Sequence, residues 1–279
     1  MPLEKFSSFR IGGRSELSIF PDSREQLMRT VSLLRENRVG FHIVGKGSNI
    51  LFGDGTVEDA LIFTEGLSVI RVEGEKMFAE AGASLASLAT VAAEHGLTGL
   101  EFAKGIPGTV GGALFMNAGA YGGEMSQITV LSEAYDAENN SLLEITDHNF
   151  GYRKSLYMEE GNLICLGGCF LLKKGDIKEI NEKMRDFAER RREKQPLNYP
   201  SAGSYFKRPE GHFAGKLIED AGLKGYRVGD AAVSEKHGGF IVNLGHATAS
   251  DVQMLEAHVR ETVYTRFGVT LEREVRIIK

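Results

Sequence analysis

Apolar residues recur every three or four positions in four stretches of the chain, which is the spacing of one buried helix face. The pattern predicts helices over residues 23–39, 84–95, 176–194 and from about 250 to Gly268. In the first helix Ser23 is a candidate N-cap, and the apolar stripe comprises Leu27, Met28, Val31 and Leu34.

The third and fourth helices each begin with a candidate capping box, in which a residue three positions into the helix bonds back to the cap. Asp176 and Glu179 form the first pair, before a stripe of Ile177, Ile180, Met184 and Phe187. Ser250 and Gln253 form the second pair, before a stripe of Leu255, Val259 and Val263.

Short runs rich in β-branched and aromatic residues predict strands between these helices. The runs cover residues 41–44, 60–64, 68–72, 76–81, 128–137, 141–147, 162–174 and 273–278. Residues 97–123 hold so many glycines that we expect neither a regular helix nor a strand ladder there. Pro196, Pro200 and Pro209 predict an irregular segment. The pattern as a whole is α+β.

Composition excludes several classes of protein. The 279 residues are 42% hydrophobic and 25% charged, as in an ordinary globular chain, with a net charge of −5. That balance argues against nucleic acid or an anionic membrane as the main partner. No apolar run approaches the roughly 20 residues of a membrane span, and the N-terminus lacks a signal peptide's apolar core. We therefore expect a cytoplasmic protein.

The two cysteines, Cys165 and Cys169, lie on one predicted strand. Four residues apart, they would point to the same face at a separation too large for a disulfide. We expect both to be reduced.

Familiar catalytic motifs are absent. The chain has no Walker A loop, no G-x-G-x-x-G after a strand, no H-E-x-x-H and no G-x-S-x-G. This argues against ATPases, zinc hydrolases and Rossmann dehydrogenases, and no metal site is predicted.

Glycine is in excess, with 34 residues, about 12% of the chain against a usual ~7%. Two glycine-rich loops follow from it, at residues 45–49 and at residues 105–112 with a continuation through 117–122. Such backbone can turn successive N–H groups towards an anion, and an extended ligand with a pyrophosphate would fit both loops. The alternative is that each loop is only a tight turn.

These loops also carry a resemblance. GKGSNILF at 45–52 and GIPGTVGGALFMNAGAYG at 105–122 resemble the flavin-binding loops of the UDP-N-acetylenolpyruvoylglucosamine reductase family. The similarity continues, in order, through FRIGG (9–13), GYRKS (151–155), AGSYFKRP (202–209), AGLKG (221–225) and LEREVRII (271–278). It therefore covers nearly the whole chain.

The resemblance implies a fold and a domain organisation. The family has an FAD-binding module of the vanillyl-alcohol-oxidase type, made of two subdomains, and a smaller α/β domain that binds the sugar nucleotide. Transferred to this chain, the subdomains would cover residues 1–57 and 58–175. The substrate domain would cover 176–268, and a C-terminal strand with a catalytic glutamate would cover 269–279. The shortness of the chain resembles the family class that lacks an extra substrate-covering loop.

The family's chemistry implies an NADPH-consuming reduction in peptidoglycan precursor synthesis. NADPH reduces FAD, which then delivers hydride to the β-carbon of the enolpyruvyl ether of UDP-N-acetylglucosamine. The FAD contacts carried over to this chain are Gly45, Lys46, Gly47, Ser48, Asn49, Ile50, Gly105, Ile106, Pro107, Gly108, Thr109, Gly111, Gly112, Asn117, Ala118, Gly119 and Ala120.

Three catalytic residues are implied by the same match. Ser204 aligns with the proton donor to the α-carbon, and Arg153 and Glu274 align with the pair at the substrate's carboxylate. An arginine fork and a protonated carboxyl could stabilise charge that develops there. By pattern alone, Ser204 would be a turn residue, Arg153 a surface cation and Glu274 part of a solvated strand face.

Substrate contacts and partners are less tightly specified. Candidate ligands are Tyr152, Lys194, Lys207 and Arg208, although Lys194 also suits the negative end of the helix dipole. We expect a monomer that binds only small molecules.

One position departs from the family pattern, because Arg273 stands where L-E-P-E-V has proline. Two alternatives also remain open at this point: another FAD-dependent oxidase or dehydrogenase of the same fold, and a non-enzymatic nucleotide-binding protein.

Overall fold

A computed structural model describes all 279 residues, which form seven α-helices and twenty short strands joined by loops and 3₁₀ turns. The helices are α1 (Arg24–Glu36), α2 (Leu85–Glu94), α3 (Val110–Met116), α4 (Leu156–Glu159), α5 (Ile177–Lys194), α6 (Ala214–Asp220) and α7 (Ala249–Phe267). None of them combines the length and the apolar character that a membrane crossing needs.

The strands are mostly two to five residues long. They are β1 (Arg14–Ser15), β2 (Ser18–Ile19), β3 (Phe41–Val44), β4 (Ile50–Phe52), β5 (Thr56–Val57), β6 (Ala60–Phe63), β7 (Ile70–Glu73), β8 (Lys76–Glu80), β9 (Leu97–Thr98), β10 (Gly119–Ala120), β11 (Gly123–Glu124), β12 (Thr129–Asp136), β13 (Ser141–Ile145), β14 (Leu163–Leu171), β15 (Lys173–Lys174), β16 (Ser201–Ser204), β17 (Arg227–Val228), β18 (Ala231–Val233), β19 (Phe240–Asn243) and β20 (Arg276–Ile278).

The chain forms two compact units. Unit 1 comprises Met1–Leu17, Gly47–Glu58 and Arg192–Lys279. Its main sheet is antiparallel, in the order β16-β19-β18-β17, and two parallel pairs, β1 with β5 and β4 with β20, complete it. Helices α6 and α7 pack on its core, whose fully buried members include Ile218, Val252 and Leu255.

Unit 2 comprises Ser18–Lys46 and Asp59–Arg191. Its five-stranded antiparallel sheet has the order β13-β12-β14-β8-β7, and a parallel sheet has the order β2-β6-β3. One apolar core includes residues of α2, α3 and α5, and a second includes residues of α1 and of β6.

These units divide the chain differently from the boundaries expected at residues 57, 175 and 268. Residues 47–58 belong to unit 1 because Ile50–Phe52 pairs in parallel with Arg276–Ile278. The segment 176–191 belongs to unit 2, where Ile180 and Met184 lie in the apolar core.

The four predicted helices are all present, and the predicted cap of one of them is wrong. Helix α1 begins after Ser23, whose hydroxyl accepts a hydrogen bond from the Gln26 N–H. Helix α7 is capped by Thr248 with Asp251, not by Ser250 with Gln253, because the Thr248 hydroxyl accepts the Asp251 N–H and the carboxylate accepts in return. Gly268 ends it in the left-handed region, as expected.

The stripe predicted for α5 is only partly buried. Ile180 and Met184 are buried and Phe187 packs against the core, whereas Ile177, in the first turn, is 49% exposed. Asp176 accepts hydrogen bonds from the N–H groups of Lys178 and Glu179, which satisfies two of the donors at this helix start.

The glycine-rich and proline-rich segments are more regular than expected. Helix α3 lies inside residues 97–123. Thr109 caps it by accepting the Gly112 N–H, and Gly111 allows the first turn to approach Ala81 closely. Strand β16 lies inside the segment of the three prolines and pairs with β19 across a bulge. Both segments are short, and their tertiary partners stabilise them against weak local propensity.

Strand β14 corrects the interpretation of the cysteines. Its pairing with β12 shifts by one residue at Leu166, since Cys165 pairs with Ala134 and Gly167 pairs with Glu133. A bulge of this kind reverses which residues face each side, so Cys165 and Cys169 do not share a face. Both are free thiols, and burial raises their pKa values.

A carboxylate organises the turn between β12 and β13. Asp136 accepts hydrogen bonds from the side chains of Asn139 (2.7 Å) and Asn162 (2.8 Å) and from the Glu138 N–H (2.9 Å). These bonds, that from the Asn139 side chain foremost, lower the pKa of Asp136 from 3.8 to about 2.

We predict that Asp136→Asn lowers the free energy of unfolding at neutral pH and that this deficit shrinks under acid. Because the carboxylate has a lower pKa in the folded state, its stabilisation is complete above 3.8 and is lost as the pH falls through about 2. Urea titrations at a series of pH values measure this. A deficit that stays constant across that range would contradict the assignment.

Candidate active site

The first glycine loop follows the buried end of β3 at Val44 and runs from Gly45 to Asn49. Gly47 has φ +58°, and a Cβ built there would lie 2.0 Å from the carbonyl oxygen of Phe6. Only glycine fits this position. The backbone N–H groups of Gly45, Lys46, Gly47 and Ser48 donate to no protein acceptor. Four successive open donors suit an anionic ligand.

Gly45 is constrained by the second loop. A Cβ at Gly45 would lie 2.4 Å from the Thr109 hydroxyl oxygen, so a side chain there would displace Thr109. Thr109 is almost fully buried and caps α3 by accepting the Gly112 N–H at 3.3 Å. Within unit 2, the first residue of one predicted cofactor loop therefore packs against the centre of the other.

The start of α3 keeps few donors for a ligand. The Val110 N–H donates to the Ala83 carbonyl at 2.9 Å, and the Gly111 N–H donates to the Ala81 carbonyl at 2.7 Å. With Gly112 bonded to Thr109, the first three helical N–H groups are occupied by protein acceptors. The open backbone donors therefore lie in residues 45–48 and not at the start of this helix.

The continuation of the second loop, residues 117–122, accepts hydrogen bonds from the side chain of Arg153. Asn117 ends α3 in the left-handed region, and its side chain donates to the Gly151 carbonyl at 3.0 Å. The Arg153 guanidinium donates to the carbonyl groups of Asn117 (3.4 Å) and Gly119 (3.1 Å). Arg153 itself has φ +55°, in a tight turn between Gly151 and Lys154. Unit 2 thus brings Arg153 against backbone of the predicted flavin-binding segment.

A buried polar cluster holds the segment around that arginine. The Ser132 hydroxyl lies 2.8 Å from His148 Nε2 and 2.6 Å from the Tyr157 hydroxyl, and all three side chains are buried. Burial lowers the pKa of His148, which keeps the ring neutral at neutral pH. The His148 carbonyl also accepts the Leu156 N–H, so residues on both sides of Arg153 are attached to the sheet.

Unit 1 holds the other two predicted catalytic residues on paired segments. Ser204 is exposed at the end of β16, after Gly203 with φ +78°. Its hydroxyl has no hydrogen-bond partner in the protein. The next residue, Tyr205, accepts the Glu274 N–H at 2.9 Å on its carbonyl oxygen. Ser204 and Glu274 therefore lie on neighbouring stretches of backbone.

The first glycine loop reaches the same strand. The Asn49 side chain donates to the Glu274 carbonyl at 3.2 Å, and the Arg276 N–H donates to the Asn49 carbonyl at 3.0 Å. Because β4 and β20 pair immediately afterwards, Asn49 and Glu274 stand at the start of the same parallel pair. Unit 1 thus joins part of the predicted cofactor loop to the predicted carboxyl group.

The four candidate substrate ligands have different surroundings. Tyr152 is 52% exposed, beside Arg153. Lys207 forms an ion pair with Glu272 at 3.3 Å, and the Arg208 guanidinium lies over the Phe213 ring at 4.7 Å. Lys194 is exposed at the end of α5. The Lys207 pair leaves less positive charge for a phosphate than the sequence suggested, and the roles of all four residues stay predictions.

FAD fits the chemistry of the first loop. Its pyrophosphate needs several donors and little side-chain bulk, and residues 45–48 offer four open N–H groups on a backbone that Gly45 and Gly47 keep free of β-carbons. No group of His, Cys, Asp and Glu side chains has the arrangement of a metal site.

Comparison with known proteins identifies the class. Residues 15–135 match the sequence model described as FAD binding domain. The protein is therefore an FAD-dependent oxidoreductase, and the predicted α+β fold with an FAD-binding module of the vanillyl-alcohol-oxidase type is confirmed.

The family is equally clear. Residues 195–278 match the model described as UDP-N-acetylenolpyruvoylglucosamine reductase, C-terminal domain. The chain is 47% identical over 278 residues to the UDP-N-acetylenolpyruvoylglucosamine reductase of Caldanaerobacter subterraneus subsp. tengcongensis, covering 99% of this chain and 92% of the relative. It is 46% identical to that of Clostridium perfringens, covering 99% and 91%. The chain belongs to the UDP-N-acetylenolpyruvoylglucosamine reductase family.

A solved structure agrees over the same length. The crystal structure of UDP-N-acetylenolpyruvylglucosamine reductase from Thermus caldophilus matches with a TM-score of 0.86 at 34% identity. The match covers 100% of this chain and 98% of the crystallised one. The fold and family that the resemblance implied are therefore confirmed, whereas the individual site residues stay predictions.

We predict that Gly47→Ala weakens FAD binding roughly tenfold or more, since a left-handed non-glycine residue costs about 1–3 kcal/mol and 1.4 kcal/mol is a factor of ten. The added methyl group would also displace the Phe6 carbonyl. Fluorescence titration of the apoprotein with FAD measures the affinity.

The control is Gly55→Ala, because a Cβ at Gly55 has no heavy atom within 4 Å. Thermal unfolding of both apoproteins separates loss of FAD affinity from loss of the fold. Wild-type affinity in a folded Gly47→Ala protein would contradict the role of this loop.

Proposed function

We propose that this protein reduces the enolpyruvyl ether of UDP-N-acetylglucosamine to the lactyl ether, UDP-N-acetylmuramate, with NADPH as the reductant. Family membership over 99% of the chain supports this substrate, because the relatives carry its name. Among the structural observations, the pairing of the Ser204 and Glu274 segments in unit 1 gives this function its strongest support. A monomeric state and a cytoplasmic location complete the proposal.

When bound, FAD accepts hydride from NADPH and supplies it to the β-carbon of the enolpyruvyl group. Addition at that carbon leaves the electron pair of the double bond on the α-carbon, with charge spread into the attached carboxylate. The groups of the protein must therefore stabilise an anion and then neutralise it with a proton.

Arg153 and Glu274 are assigned to the stabilising role. A guanidinium binds a carboxylate through two parallel N–H groups, and a protonated carboxyl adds a third donor. Arg153 lies in a tight turn with φ +55°. Strained backbone of this kind is held in place by the surrounding structure and clusters at active sites, which supports the role of Arg153. The hydrogen bonds of Glu274 to Tyr205 and Asn49 restrict the position of its backbone.

Ser204 is assigned to proton donation at the α-carbon. Its hydroxyl is exposed and makes no hydrogen bond within the protein, so it is available to a substrate. The new bond joins the hydroxyl proton to the α-carbon, and solvent then reprotonates the serine oxygen. A hydroxyl can act as the acid here because the acceptor is a strongly basic carbanion.

The function is tested by a two-step anaerobic titration. We expect NADPH to bleach the flavin absorbance and UDP-N-acetylglucosamine enolpyruvate to restore it. Bleaching of the oxidised flavin by another alcohol or hydroxy acid, with no restoration of the reduced flavin by this substrate, would reassign the protein to a different flavoenzyme. A purified protein without flavin would favour a non-enzymatic role.

We predict that Ser204→Ala leaves flavin reduction by NADPH near the wild-type rate and slows reoxidation by the enolpyruvyl substrate roughly a hundredfold or more, the range of a lost general acid. Stopped-flow absorbance resolves the two half-reactions. Ser201→Ala, on the same strand, is the control and should leave both unchanged. Equal slowing of both half-reactions in Ser204→Ala would make Ser204 a structural residue.

A further inference from the structure

A buried carboxylate lies behind the segments of Ser204 and Glu274. Glu256, on α7, is 4% exposed. Its carboxylate accepts the Tyr205 hydroxyl at 2.8 Å and the Arg273 guanidinium at 3.1 Å. Arg260, one turn further along α7, lies 3.7 Å away. A buried carboxylate needs such partners, because an unpaired charge in an apolar core is strongly destabilising.

The partners of Glu256 occupy particular places in the sequence. Tyr205 directly follows Ser204, and Arg273 directly precedes Glu274. One carboxylate thus holds the immediate neighbours of Ser204 and of Glu274. Tyr205 is 1% exposed, and burial together with the Glu256 carboxylate raises the pKa of its hydroxyl, which therefore stays a donor.

The backbones of the two segments pair as well. The Glu274 N–H donates to the Tyr205 carbonyl at 2.9 Å, and the Lys207 N–H donates to the Glu272 carbonyl at 2.8 Å. Between these bonds Phe206 lies opposite Arg273 in an antiparallel bridge. The two segments therefore form a short ladder that is anchored from behind by Glu256.

Arg273 contributes to this anchor through its side chain alone. Its N–H donates to no protein acceptor, which is the pattern expected at a non-hydrogen-bonded position of an antiparallel pair. A proline would lose no ladder bond at this position. It could not reach Glu256, so in this chain the arginine supplies a contact that proline cannot make.

We propose that Glu256, with Tyr205 and Arg273, is a positioning residue that sets the relative placement of Ser204 and Glu274 for the reduction proposed above. The proposal rests on that function. The three side chains form one hydrogen-bonded unit, so removal of any member loosens both segments. Misplacement of a reacting group by about 1 Å can cost a hundredfold in rate.

The test uses three nearly isosteric or charge-removing variants of the FAD-loaded protein: Tyr205→Phe, Glu256→Gln and Arg273→Met. We expect reoxidation by UDP-N-acetylglucosamine enolpyruvate to slow roughly ten- to a hundredfold. Flavin reduction by NADPH should stay within about twofold of wild type, because this step does not use Ser204. Arg273→Lys, which keeps a cation, should recover part of the loss.

Tyr135→Phe is the matched control for stability. Tyr135 is also buried, and its hydroxyl donates to Asn140 at 2.8 Å in unit 2. Its removal should lower the unfolding temperature by a similar amount and leave both half-reactions unchanged. If Tyr135→Phe slows reoxidation as much as Tyr205→Phe does, the effect is general destabilisation and the proposal is wrong.

Hydrogen–deuterium exchange supplies a readout that does not need the substrate. In the network variants, exchange should accelerate at the Glu274 and Lys207 N–H groups and remain unchanged at the Ala231–Asn243 ladder of the same unit. Wild-type exchange at those two groups would overturn the proposal even if the enzyme assignment holds. Failure of the wild-type protein to turn over the enolpyruvyl substrate would instead overturn the proposed function, with the exchange result unaffected.

Discussion

The parallel pairing of β4 with β20 is the constraint on which unit 1 depends. It joins residues 50–52 to residues 276–278, which are separated by more than two hundred positions in the sequence. Because of this pair, the loop that precedes β4 lies beside the segment that precedes β20, and Asn49 bonds to Glu274 and Arg276. The N-terminal segment is tied in at the same place, since the Ser7 hydroxyl donates to the Ile50 carbonyl and the Ser8 N–H donates to the Gly47 carbonyl. The sequence near β4 or near β20 does not predict this arrangement, because each strand pairs with a segment that is distant in the sequence.

The glycines of the two loops serve steric and chemical purposes at once. Gly45 and Gly111 are required by neighbouring protein atoms, of Thr109 and Ala81 respectively, and Gly47 is required by its φ angle and by Phe6. On this ground alone each loop would be a tight structural turn. The open N–H groups of Gly45, Gly47 and Ser48 distinguish the first loop from such a turn, because Gly47 is buried, Gly45 and Ser48 are half-buried, and donors at such positions almost always find acceptors. The N-terminus of α3 shows the opposite case, where protein carbonyl groups already occupy the donors. A glycine-rich sequence therefore does not by itself indicate which loop binds an anion; the hydrogen bonds do.

Sequence periodicity predicted the longer elements well because their burial is local and repetitive. Helix α1, with Leu27, Val31 and Leu34 buried, and strand β3 agree with the expected positions. It failed where tertiary contacts outweigh propensity, as in α3 and in β16. It also failed at the bulge near Leu166, where one extra residue reverses the orientation of Cys165 relative to Cys169 and leaves no mark in the hydrophobic pattern. Motif similarity predicted Ser204, Arg153 and Glu274 as catalytic residues, but no pattern indicated Glu256. This residue lies on α7 between apolar positions, and its partners are close only in the folded chain.

Nine of the 34 glycines lie in residues 203–245, and two of them, Gly238 and Gly239, have a steric explanation in unit 1. A Cβ at Gly238 would lie 2.6 Å from the carbonyl oxygen of Gly215, and one at Gly239 would lie 3.1 Å from the His237 ring. These glycines allow the segment before β19 to approach the start of α6 at backbone distance. The Gly239 carbonyl then accepts the Tyr205 N–H at 2.8 Å. Tyr205 is therefore held from three directions: by Gly239 at its N–H, by Glu274 at its carbonyl and by Glu256 at its hydroxyl. Since Ser204 is the adjacent residue, the close backbone packing that glycine permits bears directly on where its hydroxyl lies. Gly238 and Gly239 thus act through the placement of a neighbouring side chain.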